Sequence, residues 1–177
     1  MRVVITGASR GIGRATAVRL AEGGAKAFTL CDIAYLDELE SLAGDLREAG
    51  CIVHTLKADM ARPNEPARVI AAAVKAMGGI DSLVGNAGIT APAKLVDLDL
   101  ATWDRIFNID LRANWLLAKA AYPHLRRSKG AVVMLASPTN INLIAINGTL
   151  SPLDLLHLRG HFGIPKFSGD HLVEQNN

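Results

Sequence analysis

Residues 1–13, MRVVITGASRGIG from Met1 to Gly13, decide the fold. Val3, Val4 and Ile5 form a continuous apolar run, the pattern of a central parallel strand covered on both faces. Gly7 supplies a tight turn. Gly11 and Gly13 remove side chains where backbone must approach a pyrophosphate and where the next helix must pack closely on its strand. The first N–H groups of that helix have no intrahelical partner, and its dipole turns a positive end toward the loop, so the turn attracts an anion without a basic side chain. A glycine-rich loop alone also describes an ordinary tight turn. Asp32 separates the two readings: it closes the next predicted strand nineteen positions after Gly13, near the spacing at which an acid accepts hydrogen bonds from an adenosine ribose.

Working outward, Ile12, Ala15, Val18 and Ala21 recur every third residue and predict the face that a first helix lays on the sheet, with Gly23 and Gly24 ending it. Lys26–Cys31 reads as a second strand. Leu36, Leu39, Leu42, Ala43 and Leu46 repeat at helical spacing, Gly50 stops that helix, and Ile52–Leu56 is a third strand. Asp59 follows at the carboxyl edge, where ligands of open parallel sheets collect; it reads equally well as a loop-capping acid. Val69, Ile70, Ala73, Val74 and Met77 predict a core-facing helix with Asn64 as its N-cap and Pro66 in its first turn. Ile80–Gly85 is a fourth strand, leading into the small residues Asn86-Ala87-Gly88.

Thr102 is the expected cap of a long helix running to about Leu125. Its apolar residues, among them Trp103, Ile106, Phe107, Ile109, Leu111 and Trp115, wrap more than one face, which predicts packing against a partner subunit in a homo-oligomer. Asn108 and Asn114 interrupt that surface. Gly130 precedes a fifth strand, Ala131–Ala136, closing at Ser137. Five alternations of strand and helix predict an α/β fold, a Rossmann-like doubly wound parallel sheet with right-handed crossovers. The pattern then changes. Residues 1–137 read as a dinucleotide-binding domain and 138–177 as a divergent C-terminal segment: an apolar run over 141–146, the turn pair Asn147-Gly148, a short helix from Ser151 to Gly160, and a tail.

The 177 residues, half of them hydrophobic, are enough for one substantial core. A net charge of +2, with Arg126, Arg127 and Lys129 as the one basic cluster, gives no argument for nucleic acid. A strand starting at Met1 or Arg2, with no apolar run long enough to span a bilayer, predicts a cytoplasmic protein with no membrane contact. Cys31 and Cys51 lack metal or redox spacing and read as buried thiols.

With these residues in view, the chain resembles the short-chain dehydrogenase/reductase family over residues 1–137. Thr6-Gly7-Ala8-Ser9-Arg10-Gly11-Ile12-Gly13 fits its TGxxxGxG cofactor loop, Asp59 its adenine-side acid, and Asn86-Ala87-Gly88 its NAG motif. Asn108 falls in the helix that carries the family's catalytic asparagine, and Ser137 fits its catalytic serine. The resemblance implies a nicotinamide cofactor held by Gly7, Ser9, Arg10, Gly11, Ile12, Gly13, Asp32, Asp59, Met60, Asn86, Ala87 and Gly88. It also implies hydride transfer to or from a small carbonyl or alcohol substrate. Asp32 favours NAD, because a carboxylate repels a 2′-phosphate, whereas Arg10 argues more weakly for NADP.

The family's tyrosine and lysine, in which an ammonium lowers the pKa of a phenolic proton carrier, have no counterpart here. About a dozen residues past Ser137 the chain reads Thr149-Leu150-Ser151-Pro152-Leu153-Asp154, and its two tyrosines are Tyr35 and Tyr122. His157, His161 and Lys166 are candidate substitutes by position alone. Two expectations follow: a family oxidoreductase with little or no turnover, C-terminally truncated relative to the family, or a non-catalytic protein that binds dinucleotide or acts by association.

Overall fold

The computed structural model describes residues 1–90 and 97–135. Five parallel strands, β1 (Arg2–Thr6), β2 (Ala27–Asp32), β3 (Ile52–Lys57), β4 (Ser82–Gly85) and β5 (Ala131–Met134), lie in the order β3-β2-β1-β4-β5. The chain steps outward from β1 to β3, then returns past β1 to lay β4 on its other side. Loops from the carboxyl ends of β1 and β4 therefore diverge, and this reversal opens the crevice where open α/β sheets take ligands.

The strands alternate their side chains between two apolar layers. Val3, Ile5, Phe28 and Leu30 pack with Ala17 of α1 (Gly11–Glu22) and with Leu39, Leu42 and Leu46 of α2 (Leu36–Glu48). Val4 and Leu83 face the other way, onto Val69, Ile70 and Ala73 of α3 (Glu65–Met77) and onto Ala113, Leu117, Ala121 and Leu125 of α5 (Ala113–Ser128). Helices on both faces make β1 wholly buried from Val3 to Thr6, as its unbroken apolar run predicts.

Four local readings need correction. The face of α1 on the sheet is built on Gly13 and Ala17, while Ile12 and Val18 are 64% and 38% exposed. The reason is steric: a Cβ at residue 13 would lie 2.2 Å from the Gly7 carbonyl oxygen, so the glycine fixes which side of the helix turns inward. Asn64 makes no side-chain cap to α3. The helix expected to start at Thr102 is capped by Asp99, whose carboxylate accepts from the Thr102 N–H at 2.8 Å and the Thr102 hydroxyl at 2.9 Å.

Nor is that helix uniform. It comprises α4 (Leu100–Ile106), a π-helical segment (Phe107–Arg112) and α5. In the π segment the Ala113 N–H reaches back five residues to the Asn108 carbonyl, and the Asn114 side chain donates to the Asp110 carbonyl at 2.8 Å. The sheet-facing row Ile109, Ala113, Leu117, Ala121 and Leu125 is buried, whereas Leu111, Trp115 and Tyr122 on the outer side are 37%, 50% and 55% exposed. Strand ends differ slightly from the sequence reading: β2 begins at Ala27 and includes Asp32, β3 extends to Lys57, and β4 begins at Ser82. Residue 136 of the expected fifth strand, Ser137, the segment boundary at 137/138 and everything expected of residues 138–177 lie outside the described residues. Among the described residues no helix is long and apolar enough to cross a membrane.

Candidate dinucleotide cleft

The site begins with a clasp between the ends of β1 and β4. The Thr6 hydroxyl accepts the backbone N–H groups of Asn86 and Ala87, both at 3.0 Å. In return the Asn86 side-chain amide donates to the carbonyls of Thr6 at 2.9 Å and Gly7 at 2.8 Å. The clasp works only because Gly7 and Gly13 lack side chains: a Cβ on Gly7 would meet Asn86 Nδ2 at 2.9 Å, and one on Gly13 would meet it at 2.6 Å. Gly7 and Gly11 both have positive φ, +63° and +57°. Nothing lies within 4 Å of a Cβ built on Gly11, so the rim of the loop is open.

On the β2 side the Asp32 carboxylate is fixed by four donors. One oxygen accepts the Ser9 hydroxyl at 2.6 Å and the Ser9 N–H at 3.2 Å; the other accepts the N–H groups of Ile33 at 2.8 Å and Ala34 at 3.3 Å. Beside it the Arg10 guanidinium lies 3.9 Å from the centre of the Tyr35 ring, a cation–π stack. Tyr35 has φ +53°, an uncommon backbone state for a non-glycine residue, and it presents this ring at the start of α2.

These groups line a cleft of about 410 Å³ that gathers Gly7, Arg10, Gly11, Asp32, Asp59, Met60, Asn86, Ala87 and Gly88 of the sequence-derived set, a volume within the range of small-molecule sites. The other three residues of that set stand outside its lining. Ser9 acts from behind by holding Asp32, Gly13 packs beneath the loop, and Ile12 is exposed on the first turn of α1. Asp59 lines the cleft, and its carboxylate also accepts the Ala61 N–H at 3.0 Å and pairs with Arg62 at 3.6 Å, the contacts of a loop-capping acid. Asn108 is half-buried in the π segment and does not line the cleft; its neighbours Arg105 and Ile109 do.

Sequence reasoning missed Arg105, Ile109 and Asp110. The four-residue spacing of Arg105 and Ile109, which puts them on one helix face, was the available signal. Asp110, also half-buried, accepts the Ile89 N–H at 3.0 Å just after the Asn86–Gly88 loop, and burial pushes its carboxyl above the usual range. Cys31 lines the cleft floor, but burial, reinforced by nearby Asp32, pushes its thiol up to about 12, so it is no thiolate nucleophile at neutral pH. Among the described residues no group of three or more His, Cys, Asp or Glu is placed to hold a metal.

A glycine-lined crevice at the switch point of a parallel sheet, with an acid at the end of the second strand, defines a Rossmann-like α/β protein. The family model described as short chain dehydrogenase matches residues 1–146, and the chain belongs to that family of oxidoreductases, which use nicotinamide cofactors. Cis-4-hydroxycyclohexanecarboxylate dehydrogenase of Sinomonas cyclohexanicum is 39% identical over 136 residues, covering 76% of this chain and 53% of that protein. Among solved structures, an alcohol dehydrogenase from the archaeon Thermococcus sibiricus complexed with 5-hydroxy-NADP superimposes with TM-score 0.73 at 31% identity, covering 81% of this chain and 61% of its own. The NADH-dependent reductase A1-R′ complexed with NAD gives 0.71 at 36% identity, covering 77% and 59%. The chain spans about half the length of the curated relatives it matches.

Proposed function

We propose that this chain binds a nicotinamide adenine dinucleotide in the cleft, with NAD preferred. In this reading it derives from an oxidoreductase acting on a small carbonyl or alcohol, and by itself it turns over little substrate. The observation that carries the reading is the cradle of Gly7, Gly11 and Gly13 clasped by Thr6 and Asn86. The residues present fit the group: the loop rim at Gly11 carries no side chain, α1 starts there with N–H groups that lack intrahelical partners, and Asp32 is fixed by Ser9 at the end of β2. When bound, the nicotinamide supplies or accepts the hydride.

The chain's own residues bind and orient. Loop amides take the diphosphate, and Asp32, kept in place by Ser9, accepts from ribose hydroxyls. Ile109 and Met60 offer an apolar wall to the base. Within this reading Ser137 orients the substrate oxygen and Asn108 supports it. In the scheme that the family resemblance implies, a phenol beside the reacting carbon moves the proton, and neither tyrosine is placed to do so. Tyr35 lies at the acid side of the cleft under Arg10, and Tyr122 is exposed on α5 outside it.

Titration with NADH, followed by an assay with a panel of ketones, tests the reading. Binding without turnover supports it, robust turnover overturns the low activity, and absence of binding overturns the cleft assignment. The Arg10–Tyr35 stack favours a second cofactor reading, NADP, because a guanidinium at that rim pairs with a 2′-phosphate. NADPH binding more tightly than NADH would establish it. The exposed Leu111, Trp115 and Tyr122 favour a second functional reading, a protein that acts by self-association through residues 102–125. A sedimentation mass of one chain at high concentration would exclude it.

A further inference from the structure

We propose that Arg105 closes over the purine of the bound dinucleotide and makes the cleft select an adenine nucleotide over a mononucleotide lacking adenine. The inference rests on the dinucleotide reading above and adds a residue to it. Arg105 belongs to the last turn of α4, one helical turn before Ile109, and both line the cleft. Ile109 is buried in the cluster that contains Ala58 and Met60. Farther along the same helix Arg112 donates to the Ala61 carbonyl at 2.5 Å, tying the π segment to the turn after β3. The helix therefore forms the part of the cleft wall that adjoins the turn after β3. With the diphosphate at Gly7–Gly11 and the ribose at Asp32, the base falls between Asp59-Met60 and this wall.

Arg105 is exposed at the mouth of that slot. Among the described residues Arg2, Arg14, Arg19, Arg47, Arg62 and Arg68 are each paired with a carboxylate. Arg105 has no hydrogen bond, ion pair or ring contact among them. A guanidinium is planar, weakly hydrated and suited to lie on a π face, and the same cleft already shows the arrangement in Arg10 over Tyr35. A purine in the slot offers Arg105 a comparable face.

The test is titration of the full chain and of Arg105→Ala and Arg105→Lys with NADH, AMP and reduced nicotinamide mononucleotide, with thermal melting as a folding control. Arg105→Ala is expected to weaken NADH and AMP roughly threefold to fivefold, the strength of an exposed cation–π contact, and to leave the mononucleotide unchanged. Arg105→Lys keeps the charge but loses the plane, and should recover less than half of that loss. Three results overturn the inference while leaving the dinucleotide reading intact. They are unchanged NADH affinity in Arg105→Ala, an equal loss for the mononucleotide, and full rescue by lysine, which would mark a point charge acting on phosphate. If the wild-type chain binds neither NADH nor AMP, the dinucleotide reading falls and this inference with it.

Discussion

Two threonines, each wholly buried and each on a central strand, should answer the same substitution with opposite signs. Thr6 Oγ1 accepts the N–H groups of Asn86 and Ala87 at 3.0 Å, whereas Thr29 Oγ1 on β2 is buried with no hydrogen-bond partner. Valine keeps the shape of threonine and exchanges the hydroxyl for a methyl. Thr6→Val leaves two donors without an acceptor, at a cost of about 1–3 kcal/mol each when water is excluded. Asn86 and Ala87 border the open cleft, so the low end applies and the total is about 2 kcal/mol. Thr29→Val removes a hydroxyl that was desolvated without compensation, and should stabilise by about 1 kcal/mol. With roughly 2–4 °C per kcal/mol for a chain of this size, Thr6→Val should melt about 4–8 °C below wild type and Thr29→Val a few degrees above it. Urea unfolding should show shifted midpoints with unchanged slopes. A Thr6→Val protein as stable as wild type, or two variants shifted in the same direction, would refute the reasoning, because it rests entirely on which hydroxyl has partners.

Further outcomes can be read from the same chain. Gly13→Ala places a Cβ 2.2 Å from the Gly7 carbonyl and 3.0 Å from Ala8 Cα; overpacking against backbone should cost roughly 1–3 kcal/mol and lower NADH affinity about tenfold or more. Gly11→Ala meets no atom within 4 Å and pays only for φ +57°, so it should lose about 1 kcal/mol by the same melt. Asp81 takes three hydrogen bonds from Arg2, which hold its carboxyl below the ordinary 3.8. That stabilisation is present above the unfolded value and is lost as pH falls through 3.8 toward the folded one. Asp81→Asn should therefore flatten the acid limb of stability against pH below about 5. Asp110 has the opposite sign: burial raises its carboxyl pKa, so ionising it as pH rises from the unfolded 3.8 through the folded value costs stability. Asp110→Asn, which keeps an acceptor for the Ile89 N–H, should be more stable than wild type at pH 7 and gain nothing at pH 3 in parallel melts.

Much of this site is legible along the chain because its demands are local. A loop that must take positive φ and present bare amides requires glycine within a few residues, and Gly7 and Gly11 answer in order. A strand buried on both faces requires an apolar run, which Val3–Ile5 supplies. The acid at the end of β2 follows from the length of one strand–helix–strand unit, so Asp32 is found by counting. These features determine the Rossmann-like architecture and the position of the cleft.

What tertiary structure alone decided depends on contacts between residues far apart in the chain. The Thr6–Asn86 clasp joins positions 80 residues apart, and it turns a small-residue motif into the reason Gly13 and Gly7 cannot carry side chains. The inward face of α1 is set by that crowding rather than by the three-residue recurrence of Ile12 and Val18. Arg105 and Ile109 share a helix face that packing turns toward the cleft, while Asp110, in the π segment, meets the Ile89 N–H; a π segment adds a residue to the turn and shifts every later side chain, which simple helical periodicity does not record. Hydrophobic pattern and glycine spacing record what the backbone needs from its near neighbours, whereas the Ser9 partner of Asp32, the Ile89 partner of Asp110 and the place of Arg105 beside the cleft exist only once strand register and helix rotation have brought distant segments together.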